Sequence, residues 1–335
     1  MLITSLGEYY IFYGEVHCML YKLKENRVYR TYLGGKHIDM FYGKESCYDS
    51  FFPEDWTASV VRAFNPGREN ISEGEGITED GWFIKELITG EMKCLVKLLD
   101  SAERLVIQVH PTVEFAKEYF KSKFGKTECW YFLDCADNAY VYLGFREGIT
   151  KEKWISAVYA QDIEGMLSML NKLPVKSGDC LFVAGGVPHA IGEGCFMIEV
   201  QEPSDLMGVV EKKTPSGREL ADVKLHGGIG FENMLKMFDY NGMGIDEIKK
   251  SYSHEPKMIR QNVFEIIGKS TTDKFSIYLI CGEGEYTPQN KNGVVIITKG
   301  SGSINGIKVK KGDRMFFNEG DTISTIGNLN AVVCF

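Results

Sequence analysis

Closely spaced cysteine pairs are missing from this 335-residue chain: its 9 cysteines are scattered, and none stand in a CxxC arrangement. An odd, dispersed set argues against a disulfide framework and for a reducing compartment. No apolar run approaches the ~20 residues that span a bilayer. A basic block is missing too, with 38 Lys and Arg against 46 Asp and Glu and a net charge of −8. Such a chain is a poor partner for nucleic acid or an anionic membrane, and an anionic substrate must find a local cluster of cations. The opening "MLITSLGEYYIFYGEVH" lacks the basic start and small-residue cleavage site of a signal peptide, so the expectation is a cytoplasmic protein. Histidine is scarce, 6 in all, and none follows His254.

Short segments rich in Val, Ile, Tyr and Phe are present, set between Gly, Asp and Asn turns, in two zones at roughly 80–200 and 260–335. That pattern predicts a mostly β protein built from antiparallel sandwiches or barrels. Predicted strands include "RLVIQVH", "TECWYFLD", "AYVYLGF", "DCLFVAG" and "CFMIEVQE", and later "FSIYLICGEG", "GVVIITKG", "RMFFNEG" and "AVVCF". "PTVEFAKEYFKSKFGK" predicts a helix with Thr112 as N-cap and Gly125 as terminator. "TKEKWISAVYAQDIEGMLSMLNKL" predicts one or two more ahead of Pro174, and "FENMLKMFDY" another between the two zones. Each zone has a Gly-Asp turn, in "VKSGDCLFV" and "KVKKGDRMFF", a sign of two related barrels. The first 25 residues read as an edge hairpin or an extension.

Metal-type donors gather on three of these strands. In "LVIQVHP", Gln108 and His110 lie two apart and therefore share a face. Glu128 alternates with Trp130 and Phe132, which turns Cys129 toward the opposite face, into the core. His189 follows a Gly-Gly turn and a proline. Two imidazoles, a carboxylate and an amide oxygen suit a divalent metal of the zinc type, with room for water or substrate. Spacing alone leaves a second account open, in which each histidine is a hydrogen-bonded structural residue.

The segments "LLDSAERLVIQVHP", "FGKTECWYFLD" and "VKSGDCLFVAGGVPHAIGEGCFMIEVQEPSD" together resemble the type I phosphomannose isomerases, a zinc-dependent cupin family, and "FFPEDWTASVVRAFNPGRENISEGEG" is similar to its smaller bacterial members. The resemblance implies two cupin (double-stranded β-helix, jelly-roll) barrels with a small helical part. Residues 1–255 would form the catalytic domain and 256–335 a barrel without metal. It implies one Zn²⁺ per chain on Gln108, His110, Glu128 and His189, with Lys126 and Glu199 in the active site. The implied reaction interconverts mannose 6-phosphate and fructose 6-phosphate, with a sugar phosphate as the partner; the oligomeric state stays open.

Two positions depart from the family. Val106 and Val209 stand where the family carries a serine and an arginine that hold phosphate or assist catalysis, and valine offers neither charge nor donor. Replacement cations follow at Lys212, Lys213 and Arg218, of which Arg218 is the candidate for the active site. Two alternatives therefore stand beside the first reading: a related isomerase or epimerase for a different sugar, and a sugar-binding metal cupin without activity.

Overall fold

Residues Leu95–Ser101 and Cys195–Gln201 are buried at every position. The reason is visible in the computed structural model, which describes residues 20–69, 71–288 and 291–335. These two strands pair antiparallel in the middle of a six-stranded sheet, ordered Arg27–Val28, Glu54–Thr57, Leu95–Ser101, Cys195–Gln201, Glu128–Cys135, Cys180–Val183. One face carries Val96, Leu98, Cys129, Ile198 and Val200 against Ile277, Val294 and Val332 of the C-terminal sheet. The other carries Leu99, Trp130, Phe132 and Met197 against Val141, Leu143 and Ile191 of a third sheet. A sheet covered on both faces loses the polar half of its alternation, so a polar residue within it needs a specific partner.

The third sheet has five strands, ordered Gly208–Val209, Gln108–Val109, His189–Ile191, Tyr140–Phe145, Leu170–Pro174. Together the six- and five-stranded sheets make the first β-sandwich. The outer face of the smaller sheet is covered by helices Lys151–Ala160, Ile163–Ser168 and Phe231–Met234, which bring Trp154, Met166 and Met234 onto Phe145. The nine-stranded C-terminal sheet encloses its own core of Val263, Ile280, Val295, Ile297 and Val333.

The two Gly-Asp turns match in detail. Gly178 and Gly312 have φ near +92° and +94°. In each turn the aspartate carboxylate accepts from the backbone N–H three residues earlier, at Lys176 and Lys310, both at 3.0 Å. The similarity of the two turns read from the sequence thus extends to their geometry.

Several local expectations changed. The predicted strand through residues 105–110 pairs regularly only at Gln108–Val109. Thr112 does cap a helix, accepting from Phe115 N at 3.2 Å, but the helix runs only from Val113 to Phe120, ending as a π turn, and Lys121 in the left-handed region terminates it, not Gly125. Leu170–Pro174 is a strand rather than the end of a helix, and Pro174 is accommodated because that strand is at the sheet edge. Of the first 25 residues, 1–19 lie outside the described residues; Tyr21–Lys22 pairs with Arg314–Phe317 of the C-terminal sheet, so the chain crosses a division placed at residue 255.

Candidate metal centre

Register assembles the site. Cross-strand pairing puts Glu199 between Lys97 and Trp130, and Gln201 next to Glu128. In the smaller sheet His189 pairs directly with Gln108, so these two side chains share a face. His110 follows where that strand ends, held by the N–H of Gly186 donating to its carbonyl at 2.7 Å. Gly125 and Gly185 both close on Pro111: a Cβ on either would lie 2.7 or 2.8 Å from its carbonyl oxygen. Only glycine permits that approach, and it fixes the segments carrying Lys126 and His189 against the one carrying His110.

The result is a buried group of His110, Glu128 and His189 whose donor atoms all lie within 4.8 Å of one another. Glu128 stands 3.2 Å from His110 Nε2 and 3.4 Å from His189 Nε2. Each imidazole directs Nδ1 at a backbone carbonyl, His110 to Leu206 at 3.1 Å and His189 to Val187 at 2.9 Å. That contact makes Nδ1 the N–H donor and leaves Nε2 as a lone pair facing the group. Burial, with the Lys126 ammonium next to it, pushes His110 down to about 4, and burial lowers His189 as well. Both rings are therefore neutral near pH 7. Burial alone would raise Glu128, but Lys126 and the two histidines more than offset it, and the carboxyl is held well below its usual range.

Neutral imidazoles and an ionised carboxylate are the donor states a divalent cation requires. The Nε2 of His189 is buried and has no hydrogen-bond partner, an orphan that such a cation would satisfy. Lys126 Nζ lies 2.6 Å from His110 Nε2 and 2.7 Å from Glu128 Oε2, so its ammonium and a metal compete for the same lone pairs. Trp130 Nε1 donates to the other Glu128 oxygen at 3.0 Å and orients it.

Beside this group runs a narrow cleft of about 50 Å³ lined by Gln108, Lys126 and Glu199, and by both departing valines, Val106 and Val209. Its floor is a buried charge network that the sequence did not reveal. Lys97 Nζ contacts Glu199 at 2.7 Å, and Arg30 makes two bonds to Asp205 and one to Glu54, at 3.0–3.1 Å. Tyr32 and Trp56 donate to Glu54, each at 2.7 Å. The available signal was a charge inside an apolar run, as in "CLVKLLD". Val209 joins Leu220 and Leu225 in an apolar cluster, with Val106 packed on it. Lys212 and Arg218 are exposed; Arg218 lies over the Phe51 ring at 4.4 Å and Lys213 pairs with Glu219 at 3.2 Å, and none of the three lines the cleft.

Burial by itself raises the Glu54 carboxyl, but Arg30 and Lys97 more than offset it and hold it well below the usual carboxylate range. A depressed carboxyl stabilises the fold fully above its unfolded value of about 4.3, and that contribution is lost as pH falls toward the folded value. Glu54→Gln, which leaves Arg30 and Lys97 under-compensated, is expected to cost about 3–5 kcal/mol at pH 7, with the gap to wild type narrowing toward pH ~3. Denaturant unfolding at the two pH values measures it; equal midpoints at neutral pH would remove Glu54 from the framework.

No family model matches the chain. In structure, the mannose 6-phosphate isomerase of Bacillus subtilis superposes with a TM-score of 0.72 at 23% identity, covering 94% of this chain and 99% of that one. The fold is that of the mannose 6-phosphate isomerases. In sequence, a probable mannose-6-phosphate isomerase of Bacillus subtilis (strain 168) is 32% identical over 218 residues, which span 64% of this chain and 64% of that relative's length. A mannose 6-phosphate isomerase bound with zinc and yttrium superposes with a TM-score of 0.67 at 14% identity, over 94% of this chain and 99% of that one. Within this isomerase fold, the His110–Glu128–His189 group lies where the two sheets of the first sandwich face each other. Among the described residues, no helix is long and apolar enough to cross a membrane.

Proposed function

We propose that the protein is a zinc-dependent aldose–ketose isomerase that interconverts mannose 6-phosphate and fructose 6-phosphate in the cytoplasm. The reading rests on one observation above all: two neutral, carbonyl-anchored histidines and an ionised glutamate share a buried group with Lys126, beside the cleft that Lys126 and Glu199 line. Gln108, opposite His189 in register, is the fourth ligand. A zinc ion bound there would supply Lewis-acid stabilisation of the oxyanion that develops at the sugar carbonyl.

Isomerisation moves a proton between two adjacent carbons through an enediol, and the chain must hold the sugar and carry that proton. Glu199, anchored through Oε1 by Lys97, presents a carboxylate to the cleft as the base. Lys126 supplies N–H donors on the side of the ligand group, where it orients the carbonyl and hydroxyl oxygens. Buried walls exclude bulk water and strengthen both interactions.

The apolar cluster around Val209 and Val106 favours a second reading, an isomerase for an unphosphorylated sugar. Assay of zinc-loaded protein on fructose 6-phosphate and free fructose in parallel separates the two. Turnover of the phosphorylated sugar, with kcat/KM at least about a hundredfold higher than for fructose, is the expected outcome. Turnover of free fructose alone would establish the second reading, and turnover of neither would remove both.

A further inference from the structure

We propose that Lys224 receives the phosphate of the sugar and so sets specificity for the phosphorylated substrate, an assignment that rests on the isomerase reading above. Four cations line the cleft, Arg30, Lys97, Lys126 and Lys224. Three are already matched by carboxylates: Arg30 by Asp205 and Glu54, Lys97 by Glu199, and Lys126 by Glu128, at 2.7–3.1 Å. Lys224 is different. It is only 8% exposed, forms no ion pair among the described residues, and donates one hydrogen bond, to the Phe64 carbonyl at 2.6 Å.

An ammonium has three N–H donors, so two remain for a ligand. A buried charge without a direct counter-ion is costly, and an anion entering the cleft repays that cost. Burial and the neighbouring Arg30 outweigh the pull of the Asp205 and Glu54 carboxylates, which make no direct contact with it, and hold the Lys224 ammonium down to about 8, so that it is still charged at neutral pH.

The placement also fits the substrate. The phosphate of a hexose 6-phosphate is at the opposite end of the sugar from C1 and C2, where the proton moves. Lys224 lines the same cleft as Lys126 and Glu199, and it comes from the helix Asp222–His226, outside both sheets that carry the metal-type donors. The valines at positions 106 and 209 offer no donor, so the anion is recognised at Lys224 and not along that wall. Arg218, stacked on Phe51 at the surface, plays no part in this contact.

The test uses zinc-loaded full-length protein, with fructose 6-phosphate as substrate and inorganic phosphate as competitive inhibitor. Lys224→Met is expected to raise both KM and the inhibition constant of phosphate by roughly 10- to 100-fold, with a much smaller change in kcat, and Lys224→Arg to recover most of the loss. Unchanged KM and phosphate inhibition in Lys224→Met overturn the proposal. Should that variant fail to melt cooperatively, Lys224→Gln takes its place beside Lys224→Arg, and equal phosphate inhibition in the two overturns it. Should wild type fail to turn over fructose 6-phosphate, the isomerase reading falls by itself. Calorimetric titration with inorganic phosphate then decides Lys224: binding by wild type that Lys224→Met abolishes keeps it as an anion site, and no binding by wild type ends the proposal.

Discussion

His189→Ala is expected to release the metal and abolish isomerase activity together. The side chain is fully buried, its Nδ1 is committed to the Val187 carbonyl, and its Nε2 has no partner within the protein. Alanine leaves Glu128 and His110 as an incomplete donor set. The loss in metal affinity should exceed the ~10- to 100-fold typical of removing a mere outer-shell partner. Metal analysis after dialysis against a weak chelator reads the effect directly, independently of turnover. Retention of stoichiometric zinc by the folded variant would sink the ligand assignment. Thermal melting belongs in the same experiment, because the His189 ring also packs edge-on to Trp130 at 5.4 Å and its removal leaves a void.

Lys126→Met should do the reverse, retaining metal while losing turnover. Methionine keeps most of the buried stem and removes only the ammonium. In the protein that ammonium occupies lone pairs of both His110 and Glu128, so its removal frees donors for a cation, and zinc should bind at least as tightly as in wild type. If Lys126 orients the reacting oxygens, kcat falls by roughly 10²- to 10⁴-fold. An unchanged kcat takes Lys126 out of the mechanism, and loss of zinc from the variant would show that its part is to hold the ligand set together.

These two residues also show how much of the site was legible beforehand. Alternation put Glu128 with Trp130 on one face and Cys129 on the other, and the structure places Cys129 in the core between the six-stranded and C-terminal sheets. Alternation is a property of a single strand and can be read from its residues. The gathering of His110, Glu128 and His189 came from motif resemblance, since nothing local says that three strands converge. In sequence Gly125 reads as a helix terminator; in the fold it is where the chain presses on the Pro111 carbonyl, a contact no residue pattern announces.

The cations of the cleft were missed for the same reason. Chain order points to Lys212, Lys213 and Arg218 as replacement phosphate contacts, and the fold leaves all three outside the cleft. Arg30 meets Asp205 across 175 positions of sequence, and Lys97 meets Glu199 across 102. The sequence by itself determined the β class, the paired Gly-Asp turns and the turning of Cys129 away from the face of Glu128, because strand alternation and turn chemistry are local properties. Only the tertiary structure decided which cations are neutralised by carboxylates and which, Lys224, forms no ion pair among the described residues, because charge compensation depends on distance in space and on burial.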